Sequence, residues 1–362
     1  MKERLKETFR ELSALIGVAG HEQEVVRYLR DKFTPLADEV KIDPNGNFYA
    51  VKKGSSPGAK LMICAHSDEI GFSVKNILAN GFLTFEKLGT QSERGLEGRK
   101  VWLGQNIAGV IGIMPGHLQS VEDKKKVVKI SDCYIDVGAS SAEEAKEMGI
   151  EIGMPVAFQS DFLELNNPDL ICTKSVDNRI NCAIILELFR ELQNTPFVGT
   201  LYGAVSVQEE LGLRGAFMLG NQIKPDYAVV TDTIPASDTP DVAGAKLNPV
   251  RLGGGPACSL SDGVPLEFRY TIPSAKLIKL VKEVAEKTDV EVQYINMIGA
   301  GYLTDANNLN LAAEGIPLVS LAIPRRYSHS PVEVVNLNDA LGSLKILKEI
   351  VLRNAEVDLS FI

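Results

Sequence analysis

Four short, almost uninterrupted apolar runs constrain this chain more than any other feature. They cover residues 60–65 (KLMICA), 201–207, 227–231 and 318–323. A strand that is wet on one face alternates apolar with polar residues, whereas a continuous apolar run marks a strand buried on both faces. Helix-like segments lie between the runs, at residues 179–193, 211–220, 274–288 and 338–353. Strand alternating with helix predicts an α/β fold, an open sheet with helices on both faces. In such sheets ligand sites form outside the carboxyl ends of the strands, where neighbouring loops converge.

Two amphipathic helices are expected first, one over residues 2–15 and one after Gly20-His21 that carries Val25, Val26 and Leu29. A hairpin follows, with strands at 40–42 and 48–52 around the turn at 43–46. The stretch 71–164 differs in kind: it is rich in glycine and valine, with short alternating strands at 82–85, 100–101, 110–113, 133–137 and 155–158 and one helical piece at 141–149. It predicts a compact β-rich domain (71–164) inserted into an α/β domain formed by 1–70 and 165–362. The run Glu122 to Lys126 inside it is expected to be a solvated loop.

Apolar residues at 45% suffice for a sizeable core. Lys+Arg 38 against Asp+Glu 47 gives a net charge of −9, which argues against nucleic acid or an anionic membrane as partner. The first ten residues alternate charges and lack an apolar core, so no secretory leader is expected. No run approaches the ~18 apolar residues of a membrane span. Cys64, Cys133, Cys172, Cys182 and Cys258 are odd in number and form no CxxC pair. That pattern predicts reduced thiols and a cytoplasmic location.

Each apolar run leads to a residue that can bind metal. The first ends in His66-Ser67-Asp68, the second in Gln208-Glu209-Glu210, the third in Asp232, and the fourth runs through Pro324 to His329. Asp177 stands just before an amphipathic helix, where an N-cap is the plain alternative. A Glu-Glu pair by itself means little, and Glu143-Glu144 reads as surface. Glu209-Glu210 differs because it directly follows an apolar strand. Asp177, Glu209, Glu210 and Asp232 crowded at one edge would repel, and some would stay protonated at neutral pH. Two divalent cations remove the conflict. With His66, Asp177 and Asp232 on one ion and His329, Asp177 and Glu210 on the other, a ligand charge of about −3 meets about +4. Such a pair, about 3.5–4 Å apart, acidifies a bridging water and polarises a carbonyl. His and carboxylate ligands suit Zn, Co or Mn. Glu209 is left as general base, and Asp68 can fix the tautomer of His66.

The segments AHSDEIGF (65–72), SVDNRINC (175–182), QEELGLRGA (208–216), TDT (231–233) and RYSHSPVEVV (326–335) resemble the motifs of the tetrahedral aminopeptidases. These are the glutamyl and deblocking aminopeptidases of metallopeptidase clan MH, family forty-two, some of whose members have been described as endoglucanases. The likeness extends through GVIGIMPGHL (109–118), DVGASSAEEAKEMGIEIGMPV (136–156) and SDFLEL (160–165). It implies a dinuclear site on His66, Asp68, Asp177, Glu209, Glu210, Asp232 and His329, dimerisation through the inserted domain, and six dimers closing into a hollow dodecamer. The function it implies is removal of N-terminal residues from short peptides by a metal-bridging hydroxide, with Glu209 as base. The ions expected are two per subunit, Zn, Co or Mn.

Some positions depart from the family pattern. Asn181 replaces a usual Gly, Ser175 a usual Ala, and residues 302–308 and 257–263 are atypical; these changes are expected to reshape the helix start and the pocket wall. Gly253-Gly254-Gly255-Pro256 is no nucleotide loop, since no GxGxxG or GK[ST] follows a strand there. His21 and His117 read as structural or exposed. Arg325 and Arg326 are expected in surface or inter-subunit salt bridges, with a substrate carboxylate as the other reading. The rival functions are a glucanase, disfavoured by one tryptophan and 6% aromatics, and an inactive oligomeric paralogue. No Gly-x-Ser-x-Gly elbow supports a serine triad beside His329.

Overall fold

The computed structural model describes residues 1–242, 248–264, 269–298 and 302–361. Its centre is a 12-stranded sheet. The four apolar runs form adjacent, mutually parallel strands in the spatial order Val198–Ser206, Ser56–His66, Tyr227–Pro235, Leu318–Arg326. Their carboxyl ends therefore share one edge.

The continuous apolar character of these strands has a direct cause, because alternate side chains enter two different cores. Leu61, Ile63 and Ala65 pack on one face with Leu201, Val205, Tyr227 and Val229. Met62 and Cys64 pack on the other with Ala204, Ala228 and Val230. The first face is covered by helices Lys2–Ala14, Gln23–Phe33, Val176–Glu191, Ala275–Thr288 and Leu337–Leu352. The second carries Arg214–Ile223 and the short Ala306–Leu309. Val176–Glu191 is buried along nearly its whole length. It lies between the sheet and helices Lys2–Ala14, Gln23–Phe33 and Leu337–Leu352, so almost none of it faces solvent.

The expected hairpin, Glu39–Ile42 with Phe48–Lys53, extends the sheet beyond the Ser206 strand. On the far side, Glu333–Asn336, Leu170–Thr173 and Leu163–Glu164 add antiparallel pairings. Ala257–Val264 pairs antiparallel with Leu318–Arg326 and carries Arg269–Thr271 and Gln293–Ile298. The sequence reading gave no strand in 257–263, which appeared there as an atypical run.

The chain leaves the sheet after His66 and builds a separate closed barrel of six strands: Gly71–Ile77, Leu83–Leu88, Lys100–Leu103, Ile107–Gly112, Tyr134–Asp136 and Pro155–Phe158. Its interior is filled by its own apolar set, with Phe72 edge-on to both Phe85 and Phe158. Helix Ala142–Glu147 sits in it, N-capped by Ser141. Residues 122–126 are exposed, as expected of a solvated loop. All five cysteines are free thiols. Among the described residues no helix is long and apolar enough to cross a membrane.

Candidate metal centre

His66 is the last residue of its strand and is buried. Its Nε2 faces three carboxylates: Asp177 Oδ1 at 3.1 Å, Asp232 Oδ1 at 3.7 Å and Glu209 Oε2 at 3.9 Å. Its Nδ1 lies 3.2 Å from the carbonyl oxygen of Asp68 and 3.5 Å from that residue's carboxylate. The Asp68 carboxylate accepts the backbone N–H groups of Glu209 and Glu210, each at 3.0 Å. One aspartate thus sits beside the imidazole and also fixes the turn that presents both glutamates.

That turn explains its own sequence. Gln208 adopts a positive φ of 55° and Gly212 one of 110°, where glycine carries no Cβ penalty. At Gly215 a Cβ would lie 2.5 Å from the carbonyl oxygen of Val207, so only glycine lets the following helix start this close.

Asp177 comes from the opposite side. Helical bonding runs Val176–Glu191, but Asp177 and Asn178 have non-helical dihedrals and are joined by a cis peptide bond. The Asp177 carboxylate lies between two imidazoles: Oδ1 faces His66, and Oδ2 lies 3.2 Å from His329 Nε2. His329, at φ 52°, also meets Glu210 Oε1 at 3.4 Å, and its Nδ1 is 2.8 Å from Thr90 Oγ1. Thr90 belongs to the stretch between two barrel strands, so the inserted region reaches the site. Non-glycine residues at positive φ recur around it (Ser175, Gln208, Tyr327, His329), the strained backbone that functional sites tend to carry.

The site forms a cleft of about 440 Å³ lined by six of the seven residues singled out from the sequence; Asp68 lies behind it. The ligand atoms fall into two trios, His66/Glu209/Asp232 and Asp177/Glu210/His329, each with its atoms within 4.8 Å of one another. The donor set of imidazole and carboxylate fits a Zn-, Co- or Mn-type cation at either position.

The electrostatics point the same way. Burial pushes Glu209 well above the usual carboxylate range, and the charges of Asp232 and Glu210 add to it against His66. Burial, with Asp177 and Asp68, raises Glu210 to about 7. Asp232 is also raised, by burial first. Burial opposes a charge on His66, but Glu209, Asp177, Asp232 and Asp68 outweigh it and raise its pKa well above the usual value. Asp177 is the exception. Burial works against its charge, yet Arg325, then His329 and His66, hold it well below the carboxylate range.

Arg325 corrects the sequence reading. It is buried, not at the surface: Nη2 donates to Asp177 Oδ2 at 2.6 Å and Nη1 pairs with Glu333. Both arms are engaged within the site, which also argues against the substrate-carboxylate reading. Arg326, half-buried, pairs with Asp238 at 2.7 Å. Glu333 itself accepts the backbone N–H of Asp177 at 3.0 Å and that of His329 at 3.2 Å. Glu333 went unrecognised and Arg325 was misplaced although a signal existed for both. Each is a charge within or directly after an apolar strand, the argument that singled out Glu209-Glu210. Thr90 carried no such signal.

The departures from the family pattern lie close to the site. Asn181 is buried and donates to the carbonyl of Asp232 and to Asn178 Oδ1, both at 2.7 Å, tying the helix to the Asp232 strand. Tyr302 donates to the carbonyl of Thr233 at 2.7 Å and lines the cleft with Leu303. His117 is exposed and His21 half-buried.

One edge of the parallel sheet thus gathers two histidines and four carboxylates around a single cleft. Residues 46–346 match the M42 glutamyl aminopeptidase family, and the chain belongs to it. The lysyl aminopeptidase of Pyrococcus furiosus is 34% identical over 338 residues, 92% of each chain. Aminopeptidase APDkam598 from the archaeon Desulfurococcus kamchatkensis superposes with a TM-score of 0.91 at 32% identity, covering 99% of this chain and 98% of its own. The TET1 peptidase of Pyrococcus horikoshii, which can assemble into a tetrahedron or a large octahedral shell, gives 0.85 at 29% identity, covering 96% and 99%. The protein is a hydrolase of the exopeptidase kind.

Proposed function

We propose that the chain is a dinuclear metallo-aminopeptidase that releases N-terminal residues from short peptides. The observation that carries this reading is the position of Asp177, one oxygen 3.1 Å from His66 Nε2 and the other 3.2 Å from His329 Nε2. A carboxylate so placed could serve a cation on each side, with His66 and Asp232 as the residues that would hold an inner ion and His329 and Glu210 those that would hold an outer one. When bound, the two ions polarise the scissile carbonyl and lower the pKa of the attacking water.

The remaining work falls to the chain itself. Glu209, farther from His66 Nε2 than Asp177 or Asp232, takes the proton of the attacking water on its carboxylate and passes it to the leaving amine. The high pKa that burial gives this carboxyl suits a group that must keep the proton between the two transfers. Asp68 holds the Glu209-Glu210 turn through its two amide contacts, and Glu333 holds Asp177 and His329 through theirs. The acid-rich cleft suits the cationic amino terminus of a peptide. Glu209→Gln should lower kcat by about 10²–10⁴-fold while the metal content stays that of the parent protein. Near-normal turnover in that variant would remove the general-base role.

The protein acts as a homo-oligomer built from dimers, with a tetrahedral dodecamer as the closed form and the barrel as dimerisation module. Support comes from the P. horikoshii assembly and from the apolar residues Met114, Leu118 and Val121 exposed on the barrel. Light scattering on the purified chain tests it, and a monomer at micromolar concentration would refute it.

A further inference from the structure

The two oxygens of Asp177 are not equivalent. Oδ1 faces the inner trio and meets His66. Oδ2, the oxygen on the outer side, is shared between His329 Nε2 at 3.2 Å and the guanidinium of Arg325 at 2.6 Å. Arg325 is pinned there. It is the penultimate residue of a central strand, its side chain is 4% exposed, and Glu333 grips its other arm. Among the described residues its Nε has no hydrogen-bond partner, a cost of burial that the two charged contacts outweigh. A guanidinium stays charged at any working pH, and its bond to a carboxylate is among the strongest available to a side chain.

A carboxylate oxygen has room for two partners. At Oδ2 one place is held by Arg325, so a cation entering the outer trio shares a partly neutralised oxygen with a fixed positive charge beside it. A cation entering the inner trio meets Oδ1, Asp232 and His66 without that competitor. The inner side chains are all buried, whereas on the outer side the imidazole of His329 is 29% exposed, although the Glu210 carboxylate is as buried as the inner ones.

We propose that Arg325 makes the outer position of this site a weak, exchangeable one, so that the enzyme carries one resident ion and takes up its second according to the free divalent cation around it. The inference rests on the dinuclear reading above and adds an order of loading and a control point to it. Arg325 touches a ligand rather than the reacting atoms, so it is a positioning residue.

The test is stepwise metal titration of the metal-stripped full-length protein with Co(II), followed by calorimetry and by equilibrium dialysis. The wild type should bind two ions with Kd values at least ~30-fold apart. Arg325→Met should tighten the weaker site by at least ~10-fold and leave the tighter one unchanged. Arg325→Lys, which keeps the charge, should keep the gap; a purely packing role would make the two variants behave alike. Because Arg325→Met leaves Glu333 buried without its partner and could impair folding, wild-type crystals grown with one equivalent of Co(II) supply a second readout. The anomalous signal should lie between His66 and Asp232, with the His329 position weak. Two equal Kd values in the wild type, or a first ion at His329, would overturn this proposal and leave the dinuclear reading standing. Absence of any bound ion would overturn both.

Discussion

The two halves of the metal centre are built in different ways. The inner half hangs on secondary structure. His66 ends one parallel strand, Asp232 lies within the next, and Asn181 ties the carbonyl of Asp232 to the helix that Asp177 precedes. The outer half is assembled from loops: His329 from the turn after Arg326, Glu210 from the turn after Ser206, and Thr90 from the inserted barrel region. A side chain on a paired strand has its direction fixed by the ladder. One on a loop needs partners to fix it. Glu333, Arg325 and Thr90 supply that need, and all three act on the outer half or on Asp177. The inner half should therefore behave as a rigid cation site, and the outer half as one that its neighbours tune.

The largest effect tests what the halves share. Asp177→Ala removes the carboxylate that faces both imidazoles, so bound metal should fall from about two equivalents to none, with activity lost. Retention of one tight ion would show that His66, Asp232 and Glu209 hold a cation without the bridge, and the halves would then be independent. Glu333→Gln comes next. It leaves an acceptor oxygen for only one of the two backbone amides, turns an NH2 toward the other and strips the partner charge from Arg325, which would then lean on Asp177 alone. Outer-site affinity should drop by about 10–100-fold, the usual range for a residue supporting a ligand, with the inner site unchanged. An equal loss at both sites would mean that Glu333 serves the fold rather than the outer half.

The same contrast governs what could be read from the sequence. The four strands were legible because burial on both faces leaves an unbroken apolar run, and residues at their carboxyl ends came with them. His66, Glu209-Glu210 and Asp232 belong to that class. The barrel's closure was not legible, since alternation reveals faces but not which strand pairs with which; the contact of Phe72 with Val156 joins residues far apart in the chain. Ala257–Val264 escaped for another reason: Ser259, Ser261 and Asp262 are polar although buried, so no apolar run marks the strand. Arg325 was misplaced because a charge two residues before a Tyr-Ser-His loop looks like surface. Only the fold shows that it extends inward to Asp177.

Proton release gives a smaller and more graded test. Without metal, burial opposes a charge on both imidazoles, but the neighbouring carboxylates outweigh it and raise His66 well above its usual pKa and His329 above its own, so the metal-free site favours protonated imidazole. Glu209 is raised well above its usual value and Glu210 to about 7, so these carboxyls are also protonated in part. Ligation requires neutral imidazole and ionised carboxylate. Loading must therefore expel protons, and apparent affinity must rise with pH, not fall. Calorimetry in buffers of different ionisation enthalpy should count about one proton or more for the first ion and fewer for the second. Equal counts would erase the distinction between a trio with every side chain buried and one that exposes its imidazole.

Thr90→Val is the smallest change and probes the contact between the barrel and the sheet. It removes the hydroxyl 2.8 Å from His329 Nδ1 while keeping the side chain's shape. The side chain of His329 is 29% exposed, so water can take over part of the lost bond. The expected loss in outer-site affinity is thus at the low end for such support, about tenfold or less. His66 offers no equivalent, because the nearest partner of its Nδ1 is the main-chain oxygen of Asp68, which no substitution deletes. If Thr90→Val weakened the inner ion, the barrel would be acting on the sheet as a whole and not on one loop. A loss confined to the outer ion would make the inserted region part of the site, with the pose of His329 as its point of action.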